Sequence, residues 1–235
     1  DRFWTRLGRW FCGGAFVCNG DELARIFASR RTRSVVSSTV TEKEFYLRED
    51  RCDREVLRIL FVGFVRPEKG LEYLVEALPK LTIPRKWELT VVGPWEQFPD
   101  YKDRLDRLVQ TLEISERIRW EGDVPYGPGL WELPTLSEGT PRVLVEARAN
   151  SLPIVATSVG GIPTSVTDGV DGLLVPPKDP EAIAKAMRRI IEDEALRKSL
   201  IANGLASAKA HTLERFIEHV METMPHSVCE QKMTA

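Results

Sequence analysis

The stretch LRILFVGFVRPEKGLEYLVEALPKL (Leu57–Leu81) decides the fold class of this chain. It opens with a short apolar run that ends at Gly63, which is typical of a buried strand. From Leu71 onward, the apolar residues recur at the spacing of a helix. A strand, a loop with glycine at both ends and a helix, in this order, predict the first half of a βαβ unit.

The same alternation continues along the chain. Further strands are predicted in Trp87–Gly93, Arg117–Val124, Leu152–Ser158 and Gly172–Pro177, with an amphipathic helix over Tyr101–Ile114 and helices from Pro180 onward. Strands that alternate with helices at this spacing form parallel sheets, and continuous apolar strands indicate that both faces of the sheet are covered. We therefore expect an α/β protein with a Rossmann-like, doubly wound parallel sheet.

Composition excludes several classes of protein. The chain has 235 residues, is 43% hydrophobic and carries a formal net charge of -2, so no basic excess indicates nucleic-acid binding. The cysteines, Cys12, Cys18, Cys52 and Cys229, form no C-x-x-C pair and fit reduced thiols of a cytoplasmic protein. The sequence begins with DRFWTRLGRW instead of Met, so we expect it to start inside a longer protein.

Polar and glycine-rich segments follow the predicted strands. The loop GFVRPEKG (Gly63–Gly70) carries Arg66 and Lys69, and the segment SEGTPRVLVEA leads into a helix. Ligands of such sheets bind beyond the carboxyl ends of the strands. Thr140 is a plausible N-cap and Pro141 suits the first helical position, and a helix N-terminus suits a phosphate group.

Each of these features also has a plainer interpretation. Glu146 could form a helix-surface pair with Arg142, four residues before it. Arg66 and Lys69, taken alone, could be solvated loop charges. The GGIP segment could be a turn and a cap. No G-x-G-x-x-G follows the first strand, which argues against a dinucleotide site of the NAD type.

The combination of three segments is more specific. GFVRPEKGLEYLVEAL, SEGTPRVLVEARANSLPIVATSVGGIP and DGVDGLLVPPKDPEAIAKAM together resemble the C-terminal half of glycosyltransferase family 4 enzymes, which have the GT-B fold. The resemblance covers Leu57 to Ala210. It implies the end of an N-terminal acceptor domain and a linker in residues 1–52. A nucleotide-sugar-binding domain would span residues 53–210, and a C-terminal helix and tail would span residues 211–235.

The resemblance implies roles for the two glutamates that are separated by seven residues. Glu138 would hold the sugar of the donor, and Glu146 would accept hydrogen bonds from the ribose hydroxyls. A carboxylate is a strong acceptor for such paired donors. The diphosphate would face the backbone where the helix after Glu138 begins. The residues assigned to this part of the site are Gly139, Thr140, Pro141, Arg142 and Val143. Gly63, in the loop after the first strand, would complete it.

The resemblance also assigns Lys69 and Arg66 to catalysis. Negative charge grows on the departing diphosphate, and cations aimed at it lower the barrier. Many relatives carry the arginine directly after the first glycine of this loop, where this chain has Phe64, so Arg66 would act from two residues further on. No metal ion and no cofactor are implied, since the nucleoside-diphosphate sugar is a substrate.

The activity implied is that of a retaining glycosyltransferase that moves a sugar to a glycan, a lipid or another acceptor. Its location would be cytoplasmic, and peripheral contact with the inner face of the membrane, through the missing N-terminal domain, stays open. Two alternatives also stay open. One is a nucleotide-sugar epimerase or hydrolase on the same fold, and the other is a non-catalytic nucleotide-sugar-binding protein.

One segment departs from the family pattern. In LWELPTLSEGTP, about ten residues that would include an interior strand are missing relative to the family, and strands of this kind are usually five or six residues long. Losing an interior strand would leave backbone groups unpaired in the core. We therefore expect a break near Glu132–Pro134, with Thr135 and Leu136 at the end of an incomplete strand.

Overall fold

The structure is a computed structural model, and it describes residues 16–19, 25, 32–36, 38–50, 52–124, 135–136 and 141–223. Its strands are β1 Phe16–Asn19, β2 Thr32–Val35, β3 Val56–Val62, β4 Lys86–Val92, β5 Ile118–Gly122, β6 Thr135–Leu136, β7 Ile154–Thr157 and β8 Leu173–Val175. Its α-helices are α1 Leu71–Ala77, α2 Pro99–Thr111, α3 Pro141–Ala149, α4 Ile162–Ser165, α5 Pro180–Glu192, α6 Glu194–Lys209 and α7 Leu213–Thr223. Short 3-10 helices span Pro67–Lys69, Leu78–Lys80 and Ser115–Arg117.

The main sheet is parallel and has the strand order β5-β4-β3-β6-β7-β8, while β1 and β2 pair separately. Within the main sheet, the chain enters at the central strand β3 and continues outward to β5. It then returns to β6, beside β3, and continues outward in the other direction to β8. The predicted doubly wound α/β fold is confirmed. The strand order reverses between β3 and β6, and ligands of such sheets bind at the carboxyl ends of the strands at that point.

Helices cover both faces of this sheet. Apolar side chains of α1, α2 and α5 form one buried cluster, and those of α3 and α4 form another. Along β7 the two clusters alternate, because Ile154 and Ala156 join the second while Val155 joins the first. Successive side chains of a strand point to opposite faces, so a strand covered on both sides is apolar throughout, as the sequence predicts.

Two helix starts are specified locally by aspartates. Asp179 accepts a hydrogen bond from the Ala182 backbone N–H at 2.9 Å, with Pro180 at the first position of α5. Asp193 does the same for the Leu196 N–H at 2.8 Å at the start of α6. Each cap satisfies one of the unpaired donors of the first helical turn, which is worth about 1 kcal/mol.

β6 lies in the interior of the sheet, between β3 and β7, and the structure describes it at Thr135 and Leu136. Among the described residues it pairs with β3 at Leu60. A cavity of about 670 Å³ lies beside the amino half of β3, against the segment before β3, the residues that enter β7, and α5 and α6. The expected break near Glu132–Pro134 lies outside the described residues, so the incomplete strand stays a prediction.

The segment before β3, called the linker here (residues 38–50), runs along α3. Val40 is fully buried against Val145, Ala149 and Ala208. Further along, the backbone N–H of Tyr46 donates a hydrogen bond of 2.9 Å to the carbonyl of Ala149. The linker therefore lies against the outer side of the helix that follows β6.

Candidate functional site

Two glycines bring the carboxyl ends of β3 and β4 together. A Cβ atom on Gly93 would lie 2.0 Å from the carbonyl oxygen of Gly63, so no side chain fits there. Gly93 also has a φ of 139°, which residues with a side chain rarely adopt. Gly63, a predicted member of the donor site, is thereby held at the point where the strand order reverses.

The loop after Gly63 carries both predicted cations. Pro67 begins a 3-10 turn, and Gly70 ends it in the left-handed region with a φ of 61°. The Arg66 guanidinium lies 3.7 Å from the Glu68 carboxylate and 5.9 Å from the centre of the Phe64 ring. Arg66 is thus held by its own loop, and its side chain remains partly exposed at the carboxyl edge.

Lys69 is half-buried and lines a small cavity of about 30 Å³ with Gly70 and Thr157. Thr157 ends β7 and is buried, and in the described part of the chain its hydroxyl has no hydrogen-bond partner. A cavity of this size holds about one water molecule. The sequence analysis did not predict a role for Thr157, although a hydroxyl residue at the end of an otherwise apolar strand could have indicated one.

Glu146 lies on α3 among the buried residues Leu144, Val145 and Ala147, and its carboxyl group is half-buried. The Thr39 hydroxyl donates a hydrogen bond to its Oε1 atom at 2.6 Å. Burial raises the pKa of Glu146, while the Thr39 hydrogen bond and the positive charge of Arg142 lower it and the charge of Glu44 raises it. A carboxylate is therefore kept in surroundings that disfavour its charge.

Arg142 forms no ion pair with Glu146 among the described residues, although the two lie four residues apart on α3. The Arg142 side chain is exposed. Its charge still acts on the Glu146 carboxyl from a distance. Glu146 faces the linker, on the side of α3 that Thr39 approaches.

Part of the predicted site lies outside the described residues, namely Glu138, Gly139 and Thr140. Pro141 begins α3, and the side chain of Val143 is buried in the core. Because β3 and β6 are neighbours in a parallel sheet, the segments that follow them leave at the same edge. Convergence of Lys69, Glu138 and Glu146 on one cleft stays a prediction.

Sequence reasoning also missed a buried cation on the same helix. Arg148 is 1% exposed and pairs with Asp171 at 2.7 Å. It also donates hydrogen bonds to the backbone carbonyls of Leu144 and Ser165, at 3.1 and 2.7 Å, and to the Ser207 hydroxyl at 3.2 Å. An arginine between two alanines of an apolar helix was the signal that could have revealed it.

No group of three or more His, Cys, Asp or Glu side chains in the described part of the chain could hold a metal ion. Likewise, none of the described helices combines the length and the apolar character that crossing a membrane requires.

Curated glycosyltransferases have sequences similar to this chain. A D-inositol 3-phosphate glycosyltransferase of Frankia alni is 30% identical over 190 residues, which covers 75% of this chain and 47% of that protein. An uncharacterized glycosyltransferase of Methanocaldococcus jannaschii is 31% identical over 167 residues, which covers 67% of this chain and 40% of that protein. The chain therefore spans less than half the length of these relatives.

Solved structures show the same fold. Anabaena Alr3699/HepE in complex with UDP superposes with a TM-score of 0.82 at 21% identity, over 94% of this chain and 66% of that one. The C-terminal domain of a group 1 glycosyl transferase from Francisella tularensis gives a TM-score of 0.62 at 24% identity, over 73% of this chain and 97% of that one. The family model of the glycosyl transferases group 1 matches residues 43–206, and the chain belongs to this family.

Proposed function

From its membership of the glycosyl transferases group 1, we propose that this chain carries the donor-binding half of a retaining glycosyltransferase of family 4. The observation that carries the proposal is Glu146, a half-buried carboxylate on the helix that follows β6. Keeping an ionisable group there costs stability, which is the usual mark of a residue retained for binding or catalysis. The retaining outcome and the assignment to family 4 rest on the resemblance of the three sequence segments.

The donor we propose is a nucleoside-diphosphate sugar. Glu146 would accept hydrogen bonds from the ribose hydroxyls, and Glu138 would bind the sugar. The first backbone N–H groups of α3, around Arg142 and Val143, would face the diphosphate, because a helix N-terminus carries partial positive charge. Structural neighbours in complex with UDP and with UDP-glucose support a donor of this class.

In the transfer step, the bond between the anomeric carbon and the diphosphate oxygen breaks, and its electron pair stays on the diphosphate. The acceptor hydroxyl oxygen bonds to the anomeric carbon, and its proton passes to the departing diphosphate. Lys69 and Arg66 would stabilise this growing charge from the loop after β3. One fixed donor or cation that acts in the transition state is worth about 3 kcal/mol. We propose no cofactor and no metal ion, since these cations and α3 supply the positive charge that the step needs.

The acceptor we propose is a glycan, a lipid-linked sugar or another hydroxyl compound bound by the N-terminal domain. The reaction would take place in the cytoplasm, with peripheral contact at the inner face of the membrane where the acceptor is lipid-linked. Relatives from Frankia alni and Streptomyces bingchenggensis are D-inositol 3-phosphate glycosyltransferases. Their names support a small hydroxyl compound as one class of acceptor.

A thermal-shift screen with UDP-, GDP- and ADP-sugars tests the proposal. A ligand that binds the native state at 100 times its Kd adds about 2.7 kcal/mol, which raises the Tm of a chain of this size by roughly 5–10 °C. The Glu146→Ala variant serves as the matched control and should lose most of this shift. The proposal fails if no sugar nucleotide shifts the Tm of the unsubstituted chain.

Product analysis with the donor alone separates the alternatives. An epimerase would change the sugar of the donor, and a hydrolase would release it to water at the full rate. A transferase should need an added acceptor for rapid turnover. A non-catalytic binding protein would show the thermal shift without any product.

A further inference from the structure

We propose that Thr39 is a positioning residue for Glu146, and that its hydroxyl holds one carboxylate oxygen so that the other faces the ribose. The inference rests on the proposed function, because it gives Glu146 the ribose as its ligand. Its basis is the 2.6 Å hydrogen bond from the Thr39 hydroxyl to Oε1 of Glu146. The two residues are 107 positions apart, so the tertiary fold, and no local helix geometry, brings them together.

The neighbours of Thr39 fix its position. Val40 is fully buried against Val145 of α3, and its carbonyl accepts a hydrogen bond of 2.7 Å from the Leu213 N–H. The hydroxyl of Ser38, which is buried, accepts a hydrogen bond of 3.1 Å from the Val40 N–H. Thr39 itself is exposed between these two anchors. The backbone that carries the Thr39 side chain is therefore fixed, while the side chain itself is accessible to solvent and to a ligand.

The rest of the linker is attached to the end of the same helix. The Ser151 hydroxyl donates to the Tyr46 carbonyl at 2.8 Å, and the Arg48 guanidinium donates to the Asn150 side chain at 3.1 Å. The part of the linker that follows Thr39 thus forms one unit with α3. A glutamate side chain has three rotatable bonds, and a partner on such a unit reduces the rotamers it can adopt before the ligand arrives.

The charges around Glu146 give Thr39 a second effect. Arg142 favours the ionised carboxyl, while Glu44 and burial oppose it and so raise its pKa. The Glu44 carboxylate is itself held by the N–H and the hydroxyl of Thr41, at 2.8 and 2.9 Å. By donating a hydrogen bond, Thr39 favours the ionised form, which is the form that accepts hydrogen bonds from ribose hydroxyls.

The test compares Thr39→Val, which keeps the shape and removes the hydroxyl, with Thr39→Ser, which keeps the hydroxyl. UDP, GDP and ADP are titrated into the 235-residue chain by calorimetry, and the nucleotide that binds best is used throughout. Thr39→Val should weaken binding by about 5- to 20-fold, the range expected for a lost hydrogen bond to a charged group that is partly exposed. Thr39→Ser should stay within about 2-fold of the unsubstituted chain.

A pH series separates positioning from a merely structural effect. In Thr39→Val, the affinity should begin to fall at a higher pH on the acid side, because the Glu146 carboxyl loses a hydrogen bond that lowers its pKa. Thr111→Val is the matched control, since its exposed hydroxyl donates to the Arg107 carbonyl at the end of α2, away from Glu146, and it should leave nucleotide affinity unchanged. All three variants should melt within about 2 °C of the parent, because surface substitutions rarely change stability by more than about 0.5 kcal/mol.

The outcomes distinguish this inference from the proposed function. If Glu146→Ala binds nucleotide as well as the parent, or if the parent binds none, the proposed function fails. If Glu146→Ala binds weakly while Thr39→Val binds like the parent with the same pH profile, the role of Thr39 is refuted alone. Tighter binding by Thr39→Val would also refute it, because Thr39 would then compete with the ribose for Glu146.

Discussion

Glu146 and Arg148 lie two residues apart on α3 and both interrupt an apolar sequence, but the structure uses them differently. Arg148 is fully buried, and its guanidinium donates to a carboxylate, to backbone carbonyls and to hydroxyls. Glu146 is half-buried, and one hydroxyl from the linker bonds to its Oε1 atom. A buried charge whose hydrogen bonds are all made supports the fold, whereas a half-buried charge can still accept bonds from a ligand.

The Arg148 cluster connects four parts of the domain. Its partners Ser165 and Asp171 lie on α4 and in the loop before β8, and Ser207 lies on α6. Gly204 lets α6 approach, since a Cβ atom there would be 3.0 Å from Cγ of Arg148. Arg148 therefore fixes α3 against α4, the loop before β8 and α6.

The comparison of Glu146 with Arg148 predicts the largest loss of unfolding free energy for Arg148→Ala. Removal of the guanidinium leaves Asp171 as a buried carboxylate without its cation, and breaking such a pair costs about 3–5 kcal/mol. Chemical denaturation monitored by circular dichroism measures the loss. Arg142→Ala, on the exposed side of the same helix, is the control and should change the unfolding free energy by less than about 0.5 kcal/mol.

A double substitution sharpens this result. Replacing Arg148 by Met together with Asp171 by Leu removes both charges and keeps apolar volume in the core. Buried pairs replaced in this way are often neutral or stabilising relative to the original pair, so most of the loss should be recovered. A double variant as unstable as Arg148→Ala would show that the hydrogen bonds of the cluster, including the one that Asp171 accepts from the Thr167 N–H, and not the ion pair, carry the stability.

The second prediction concerns Lys69, which we propose, like Glu146, as a residue that binds the donor. Lys69→Ala should lower turnover by about 100-fold or more, since the charge it meets grows in the transition state, and leave the unfolding free energy nearly unchanged. Release of nucleoside diphosphate measures turnover. Lys80→Ala is the control, because Lys80 is an exposed surface residue that pairs with Glu181 at 2.7 Å. If Lys69→Ala lost stability without any loss of turnover, Lys69 would stabilise the fold, as Arg148 does, instead of acting in catalysis.

The third prediction concerns Glu146→Ala and nucleotide affinity. A lost hydrogen bond to a charged group is worth about 1.5–3 kcal/mol, which corresponds to a Kd raised by roughly 10- to 150-fold. Calorimetric titration measures the change, and the melting temperature should not fall. If the variant unfolds as readily as Arg148→Ala and binds nucleotide normally, the distinction between the two residues is wrong.

The sequence predicted much of the fold, because the spacing of apolar residues and the positions of glycines can be recognised within short segments. The strand at Leu57–Val62, the turn at Gly63–Gly70 and the helix start at Pro141 were all found from short segments. The difference between Glu146 and Arg148 could not be found in this way. Their partners, Thr39 and Asp171, lie 107 and 23 residues away, and only the tertiary fold brings them to α3.

The amino edge of the sheet shows the same limit. Comparison with the family pattern predicted an incomplete interior strand at Thr135 and Leu136, and this stays a prediction because the residues before them lie outside the described part of the chain. No local pattern predicted the cavity of about 670 Å³ beside β3, because its walls come from the segment before β3, from β3 itself, from the residues before β7 and from α5 and α6. A cavity depends on which distant elements meet, and a sequence segment does not contain that information.

The smallest expected effect is the pH dependence of stability in Glu146→Gln, which separates the cost of the charge from the shape of the side chain. Burial raises the pKa of Glu146 in the folded state above its value in the unfolded chain. The folded state therefore binds more protons than the unfolded state in the window between the two pKa values, and stability falls as pH rises through it. Glutamine has the same size, can accept the Thr39 hydrogen bond and does not titrate. Glu146→Gln should accordingly be slightly more stable than the parent at pH 7, and the two curves should converge as the pH falls below the ordinary pKa of glutamate. Urea unfolding at intervals from pH 4 to pH 8 gives this difference directly. A parent that is more stable than Glu146→Gln at pH 7 would mean that the carboxylate is fully compensated like Arg148, and its role would then be structural.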